Sequence, residues 1–314
     1  MKLKYGFSLF VCGMVLLLSG CGLERIGEWG DSQRHKEDFH FTHALKSGGT
    51  IELQTFNGGV EIIAWEKEEI DISGVKYAAT PEKLEQVDIE VDSSPDAIRI
   101  RTIRPEGQRC PCGAKYILRV PKRVELRKIV ATNGSLKTTG LEGMAVLETS
   151  NGKIEMSRHI GEARLRTSNA SIIINGLRGD FVGKTSNGPI RVSDLEGSFS
   201  ADTSNASIEA DIRKLPGGRP VRAYSSNGGL ELRLPDYKDQ PLELDTSNAG
   251  IKLSLPAGAN AEIRASTSNS SIQSDFEIEP IGEAKKGRLN GHLGKGGATI
   301  RLHTSNGGIQ IRRL

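Results

Sequence analysis

The tripeptide Thr-Ser-Asn restarts at Thr149, Thr167, Thr185 and Thr203, an interval of 18 residues. A fixed period of this length marks a stacked repeat, because one short unit cannot bury its own apolar face and each copy must lie against the next. The asparagines fall at Asn133, Asn151, Asn169, Asn187 and Asn205, then at the wider intervals of Asn227, Asn248, Asn269 and Asn306. Asn57, in TFNGGVEI, follows the same grammar.

Alternation surrounds each asparagine. After it come Ile154/Met156, Ile172/Ile174, Ile190/Val192 and Ile208/Ala210/Ile212; before it come Ala145/Leu147, Ala163/Leu165, Phe181/Gly183 and Phe199/Ala201. Period two means a strand with one buried face. Glycine corners such as Gly179 and Gly197 separate the two stretches. The unit is therefore strand, asparagine corner, strand, glycine corner. The predicted fold class is all-β: a stacked β-solenoid of about 18–22 residues per coil with two short strands per coil. Roughly nine units stacked at the strand spacing of about 4.8 Å give a rod on the order of 40 Å long.

The same alternation assigns roles within the tripeptide. Threonine continues the inward series, serine points out and asparagine takes the corner. Inward threonines can pass hydrogen bonds from coil to coil, which buried hydroxyls require. Asparagine tolerates a left-handed backbone, and its amide can bond along a ladder of corner residues, Asn133, Asn151, Asn169, Asn187, Asn205, Asn227, Asn248, Asn269 and Asn306. The tripeptide reads as turn chemistry rather than as a site. An ice-binding face needs an outward threonine array, whereas the outward residues two places before the serines are mixed: Arg166, Lys184, Asp202, Tyr224, Asp245, Ser266 and His303.

The chain begins with a targeting pattern: MKLK, an apolar run of about 12 residues, and LSGC. The run is shorter than the roughly 20 residues a lasting transmembrane helix needs. Leu18-Ser19-Gly20-Cys21 resembles the lipobox of bacterial lipoproteins, which implies cleavage before Cys21 and acylation of that cysteine as a membrane anchor. Gly22 in the next position, by resemblance to Gram-negative lipoproteins, favours the outer membrane. The expected organisation is a signal peptide at 1–20, a tether at 21–37, and a β-rich section at 38–130 that begins the solenoid at Asn57. The repeats then run over 131–314, with an insertion at 275–299 before a final coil. Arg312 and Arg313 are expected to guard the last edge against strand pairing. Formal net charge is +3, of which Lys2 and Lys4 supply two, and the mixed remainder gives no support for a nucleic-acid binder.

Cys110-Pro111-Cys112 is the local feature the repeat does not demand. In an oxidising envelope these thiols are expected to oxidise, as a loop staple or between molecules. A redox or metal role shared with His35, His40 or His43 is the remaining alternative. Glu209/Asp211 and Glu243/Asp245 are paired by spacing, but charged walls do this routinely. No GxSxG or HExxH pattern occurs, and Gly294-Lys295-Gly296-Gly297 lacks the spacing of a phosphate loop. No catalytic, metal or cofactor residues are assigned.

The TSNG-type coils, the lead-in YILRVPKRVELRKIVATNGSL and the close GRLNGHLGKGGATIRLHTSNGGIQI resemble the bacterial DUF4097 family of proposed adhesins, from about residue 45 onward. The resemblance implies an exported β-solenoid with adhesion as its suggested role and no defined catalytic residues. The expectation is a lipid-anchored envelope protein that presents a glycan- or protein-binding surface, with the membrane as its partner through Cys21. The alternatives are a periplasmic structural or stress-related scaffold and, third, a carbohydrate-active enzyme.

Overall fold

The computed structural model describes residues 35–104, 111–282 and 286–314, which belong to one compact unit, Ser32–Leu314. Cys21 and Cys110 lie outside the described residues. Two sheets of thirteen and fourteen strands face each other across a single aliphatic core. One short helix, Pro81–Glu85, starts at Thr80, whose hydroxyl accepts from Lys83 N at 3.3 Å.

Eleven parallel strands of each sheet combine into eleven coils, and the remaining strands cap the ends. Coils 4 to 7 have strands Ala145–Thr149 and Ile154–Ile160, Ala163–Arg166 and Ile172–Arg178, Phe181–Lys184 and Ile190–Glu196, and Phe199–Thr203 and Ile208–Lys214. Coil 8 is Val221–Ser225 with Leu230–Arg233, and coil 9 is Leu242–Thr246 with Ile251–Leu255. Neighbouring coils pair in register, Ile154 with Ile172 and Ile190 with Ile208. Each column therefore repeats one burial state, and a slip of one residue would turn the apolar set outward.

Adjacent inward columns share the interior volume. Ala145 and Ala163 precede Leu147 and Leu165, whereas Phe181 and Phe199 precede Gly183 and Ala201. The two phenylalanine rings lie 5.6 Å apart, and a Cβ on Gly183 would come within 2.3 Å of the Phe181 ring. Small residues thus make room for large ones at constant volume, the substitution pattern cores tolerate best. Each fully buried aliphatic side chain contributes about 1.5–3 kcal/mol.

The stack departs from the expected order at both ends. Coil 2, Gly49–Thr55 with Val60–Trp65, carries Asn57 and lies against coil 3, Val124–Ala131 with Leu136–Thr139. Outside it lies coil 1, Ala97–Ile103 with Gly113–Pro121, so the solenoid begins one coil before Asn57. Antiparallel strands His35–Ala44, Glu69–Ala78 and Asp88–Ser94 cap this end. At the other end, Thr299–Thr304 with Ile309–Arg313 forms coil 10, and Ala261–Thr267 with Ile272–Ser274 forms coil 11. The last-written coil is therefore next to last in space, and Arg312 and Arg313 do not guard an edge. Their strand is paired on both sides, and Asp275 accepts from Arg312 Nη1 at 3.0 Å. Eleven coils give a length on the order of 50 Å rather than 40 Å.

Candidate binding surface

The corner carries a continuous amide ladder. Asn133 Nδ2 donates to Asn57 Oδ1 at 2.6 Å, and Asn151, Asn169, Asn187, Asn205, Asn227 and Asn248 each donate to the preceding asparagine at 2.6–2.7 Å. Asn306 donates to Asn248 at 2.8 Å, and Asn269 to Asn306 at 2.7 Å. At the far end Asn57 Nδ2 donates to the Cys112 carbonyl at 2.8 Å. The corner of coil 1 thus ends the ladder with backbone instead of an asparagine. Cys112 is fully buried and disulfide-bonded.

Beneath the ladder the inward threonines bond the coils together. Thr167 Oγ1 donates to Gly152 O at 3.0 Å in the coil below, and Thr185 donates likewise to Ala170 O. Thr185 Oγ1 also accepts from Gly188 N at 3.2 Å in its own corner. Ser225 takes the same place with the same two bonds, so the hydroxyl and not the methyl is required. At the opposite corner Gly161 has φ +131° and Gly179 +147°. A Cβ on Gly161 would lie 2.2 Å from Gly143 O, so these corners need glycine both for conformation and for approach.

The outward walls are cross-paired. Glu61 meets Lys137 at 2.8 Å, Arg191 meets Glu209 at 3.5 Å, and Glu231 meets Lys252 at 2.7 Å. On the other sheet Lys184 meets Asp202 at 3.2 Å and Arg222 meets Glu243 at 3.7 Å. In each acid pair singled out by spacing the glutamate, Glu209 or Glu243, thus faces a cation on the neighbouring strand, which relieves repulsion, whereas Asp211 Oδ1 is buried without a hydrogen bond. Such exposed pairs each contribute about 0–1 kcal/mol.

Of His35, His40 and His43, His40 meets Asp71 at 2.6 Å, and His43 Nε2 is buried without a hydrogen bond. No cluster of three or more metal-ligating side chains occurs among the described residues.

Sequence order conceals one juxtaposition. Intercalation of coil 10 sets His303 between Asp245 and Ser266, and Ser266 Oγ lies 2.9 Å from His303 Nδ1. Burial raises the Asp245 carboxyl above its usual range, against the opposing pull of His303. The three lie on the wall, and none lines either depression described next.

A depression of 420 Å³ opens near the glycine-corner side of coils 2 and 3, lined by Trp65, Lys67, Glu68, Lys122, Arg123 and Glu142 among others. Trp65 stands beside Pro121 in register and donates its indole N–H to Glu69 O at 2.8 Å. Lys67 Nζ sits 4.8 Å from the Trp65 ring centre. Glu142 is gripped by Lys122 at 2.8 Å and Arg123 at 3.2 Å, which hold its carboxyl below the usual range. An aromatic face with a rim of both charges can stack on a ring and hydrogen-bond its substituents. A second depression, of 380 Å³, runs over Gly229, Gly250 and Gly308. Sequence reading missed the first because its walls come from residues about 80 positions apart.

The sequence matches the family described as Toastrack DUF4097 over residues 45–312. Similar solved structures include a proposed adhesin from Parabacteroides merdae ATCC 43184, 11% identical, covering 88% of this chain and 96% of that one, with a TM-score of 0.42. Another, from Parabacteroides distasonis ATCC 8503, is also 11% identical, covering 88% and 97%, with a TM-score of 0.39. No curated protein matches the chain.

Proposed function

Because the chain belongs to the Toastrack DUF4097 family, we propose that it is a non-enzymatic envelope protein that presents its β-solenoid as a rigid binding surface. A lipid on Cys21 holds it, with the outer membrane as its site. The observation that supports this reading is the Trp65 depression, carried on coils fastened to their neighbours by backbone, threonine and asparagine bonds. Such fastening keeps the aromatic face and its charged rim in place before a ligand arrives, which lowers the ordering cost of binding. Among the described residues no helix is long and apolar enough to cross a membrane, so anchorage in this reading rests on Cys21.

The experiment has two arms. Protease shaving of intact and permeabilised cells places the protein: cleavage on intact cells supports outward display, and protection until permeabilisation rules out an extracellular ligand. The purified chain is then screened against glycans and matrix proteins beside Trp65→Ala. Loss of the aromatic face is expected to weaken a specific ligand about 3- to 10-fold. Equal binding by both proteins to every ligand found would remove Trp65 from the reading.

A further inference from the structure

Coil 10 stands out of chain order. Thr299–Thr304 lies parallel to Leu242–Thr246 on one side and Ala261–Thr267 on the other. Ile309–Arg313 lies between Ile251–Leu255 and Ile272–Ser274 in the same way. Ile300, Leu302, Ile309 and Ile311 are fully buried, and Asn306 bridges Asn248 and Asn269 in the ladder. The slot is built wholly by coils 9 and 11, which precede its occupant in the sequence.

The occupant reaches the slot through Gly294-Lys295-Gly296-Gly297-Ala298. Its three glycines have φ of +59°, +75° and +149°. Side chains on the slot side hold this connection: Asn260 Oδ1 accepts from Lys295 N, and Asp239 Oδ1 from Ala298 N, both at 2.7 Å. A short glycine-rich connection of this kind is where a chain can open and feed an element to a neighbour.

The slot is also keyed. In spatial order the residues after the corner asparagines run Gly58, Gly134, Gly152, Ala170, Gly188, Ala206, Gly228, Ala249, Gly307, Ser270. Every residue with a Cβ has glycine neighbours, and a Cβ on Gly307 would lie 1.9 Å from Ala249 O. Closing coil 11 directly onto coil 9 would set Ser270 against Ala249, a pairing found nowhere among the described coils. The gap therefore calls for an Asn-Gly coil, which residues 299–314 supply.

We infer that residues 299–314 are an exchangeable donor coil, and that the slot between coils 9 and 11 accepts this coil from its own chain or from a second copy. Both seatings make the same strand pairings, ladder bonds and apolar contacts. The balance is therefore set by concentration and by the connection alone. Reciprocal exchange gives a closed dimer. This inference does not depend on the proposed ligand-binding role.

Lys252 and Gln310 face outward across the boundary of coils 9 and 10, directly paired. Full chains bearing Lys252→Cys alone and Gln310→Cys alone are unfolded, mixed at high concentration and refolded. The expected result is a disulfide between chains several-fold above that of a control mixture of Lys252→Cys with Arg166→Cys. The double variant with both cysteines in one chain is expected to form the same disulfide internally, which verifies the geometry. Deleting Gly296 and Gly297 removes about 7 Å of reach and is expected to shift a folded chain from monomer to twice the monomer mass by light scattering. The inference is overturned if the internal disulfide forms but the mixed chains never exceed the control. It is equally overturned if the shortened chain keeps its strand signal and remains a monomer. Should the shortened chain fail to fold, the mixing experiment with the intact connection decides by itself.

Discussion

Asn187→Ala removes one rung from the middle of the amide ladder. The residue donates to Asn169 Oδ1 and accepts from Asn205 Nδ2, both at 2.7 Å. Each bond contributes about 0.5–1.5 kcal/mol net. The corner is exposed, so water compensates in part and the expected loss is about 1–2 kcal/mol. Asn269, at the top of the ladder, makes one such bond, to Asn306, and Asn269→Ala is expected to cost about half as much. The pair Asn169→Ala and Asn187→Ala shares a bond. The double variant therefore loses three bonds where the singles lose four in total, a coupling of about 0.5–1.5 kcal/mol. Denaturant midpoints followed by far-ultraviolet circular dichroism measure all four proteins. At about 2–4 °C per kcal/mol, the Asn187→Ala melting temperature should fall by about 2–8 °C. Equal losses at Asn187 and Asn269, or strict additivity of the pair, would refute the ladder as a chain of energetically coupled bonds.

Other positions test other parts of the stack. His159 is buried with neither ring nitrogen in a hydrogen bond of ordinary geometry. Desolvation lowers its pKa from 6.5, only partly offset by the Gly143 backbone. The unfolded chain then binds this proton more readily, so its contribution is complete above about pH 6.5 and falls as pH drops toward the depressed native value. His159→Leu, matching Leu177 and Leu195 in the next two coils, should flatten the urea-midpoint profile below pH 6.5; an unchanged difference between the two proteins at pH 5 and pH 8 would contradict this. Thr185→Val should cost about 2–4 kcal/mol by stranding Gly188 N–H and Ala170 C=O, while Thr185→Ser should cost well under half of that, as Ser225 indicates. Gly161→Ala should cost about 2 kcal/mol or more, since it combines positive φ with a blocked approach. A melting temperature within 1–2 °C of wild type would remove the steric argument for that corner.

The coil itself was legible because two periodicities coincide in the sequence: alternation within strands and restarting corners. Thr167 could be placed inward and Asn169 at the corner from those alone. Spatial order was not legible in the same way. A period shows that successive coils are alike, and stacking in chain order is only the simplest arrangement consistent with that. Coil 10 violates it, and with it went the adjacency of Ser266 and His303 and the supposed edge at Arg312. One signal was present: from Gly152 on, glycine and alanine alternate after the asparagines until Ala249 and Ser270 come in succession, with Gly307 left over. Coil 1 was hidden for a different reason, because its corner holds Cys112 in place of the repeated tripeptide. The Trp65 depression belongs to no repeat, so only the folded chain brings Trp65, Arg123 and Glu142 together.

The alternation of corners also limits how such a protein can change length. Removing any one Asn-Gly coil between Ala170 and Ser270 would press two Cβ-bearing corners together, whereas removing a glycine coil with its alanine neighbour leaves every remaining contact of a kind already present. A single alanine coil, about 18 residues at the regular spacing, can also be lost, because the glycine–glycine contact it leaves already occurs between Gly134 and Gly152. Length variants of this region should accordingly keep a glycine on at least one side of every corner contact, and so lose alanine coils more readily than glycine coils.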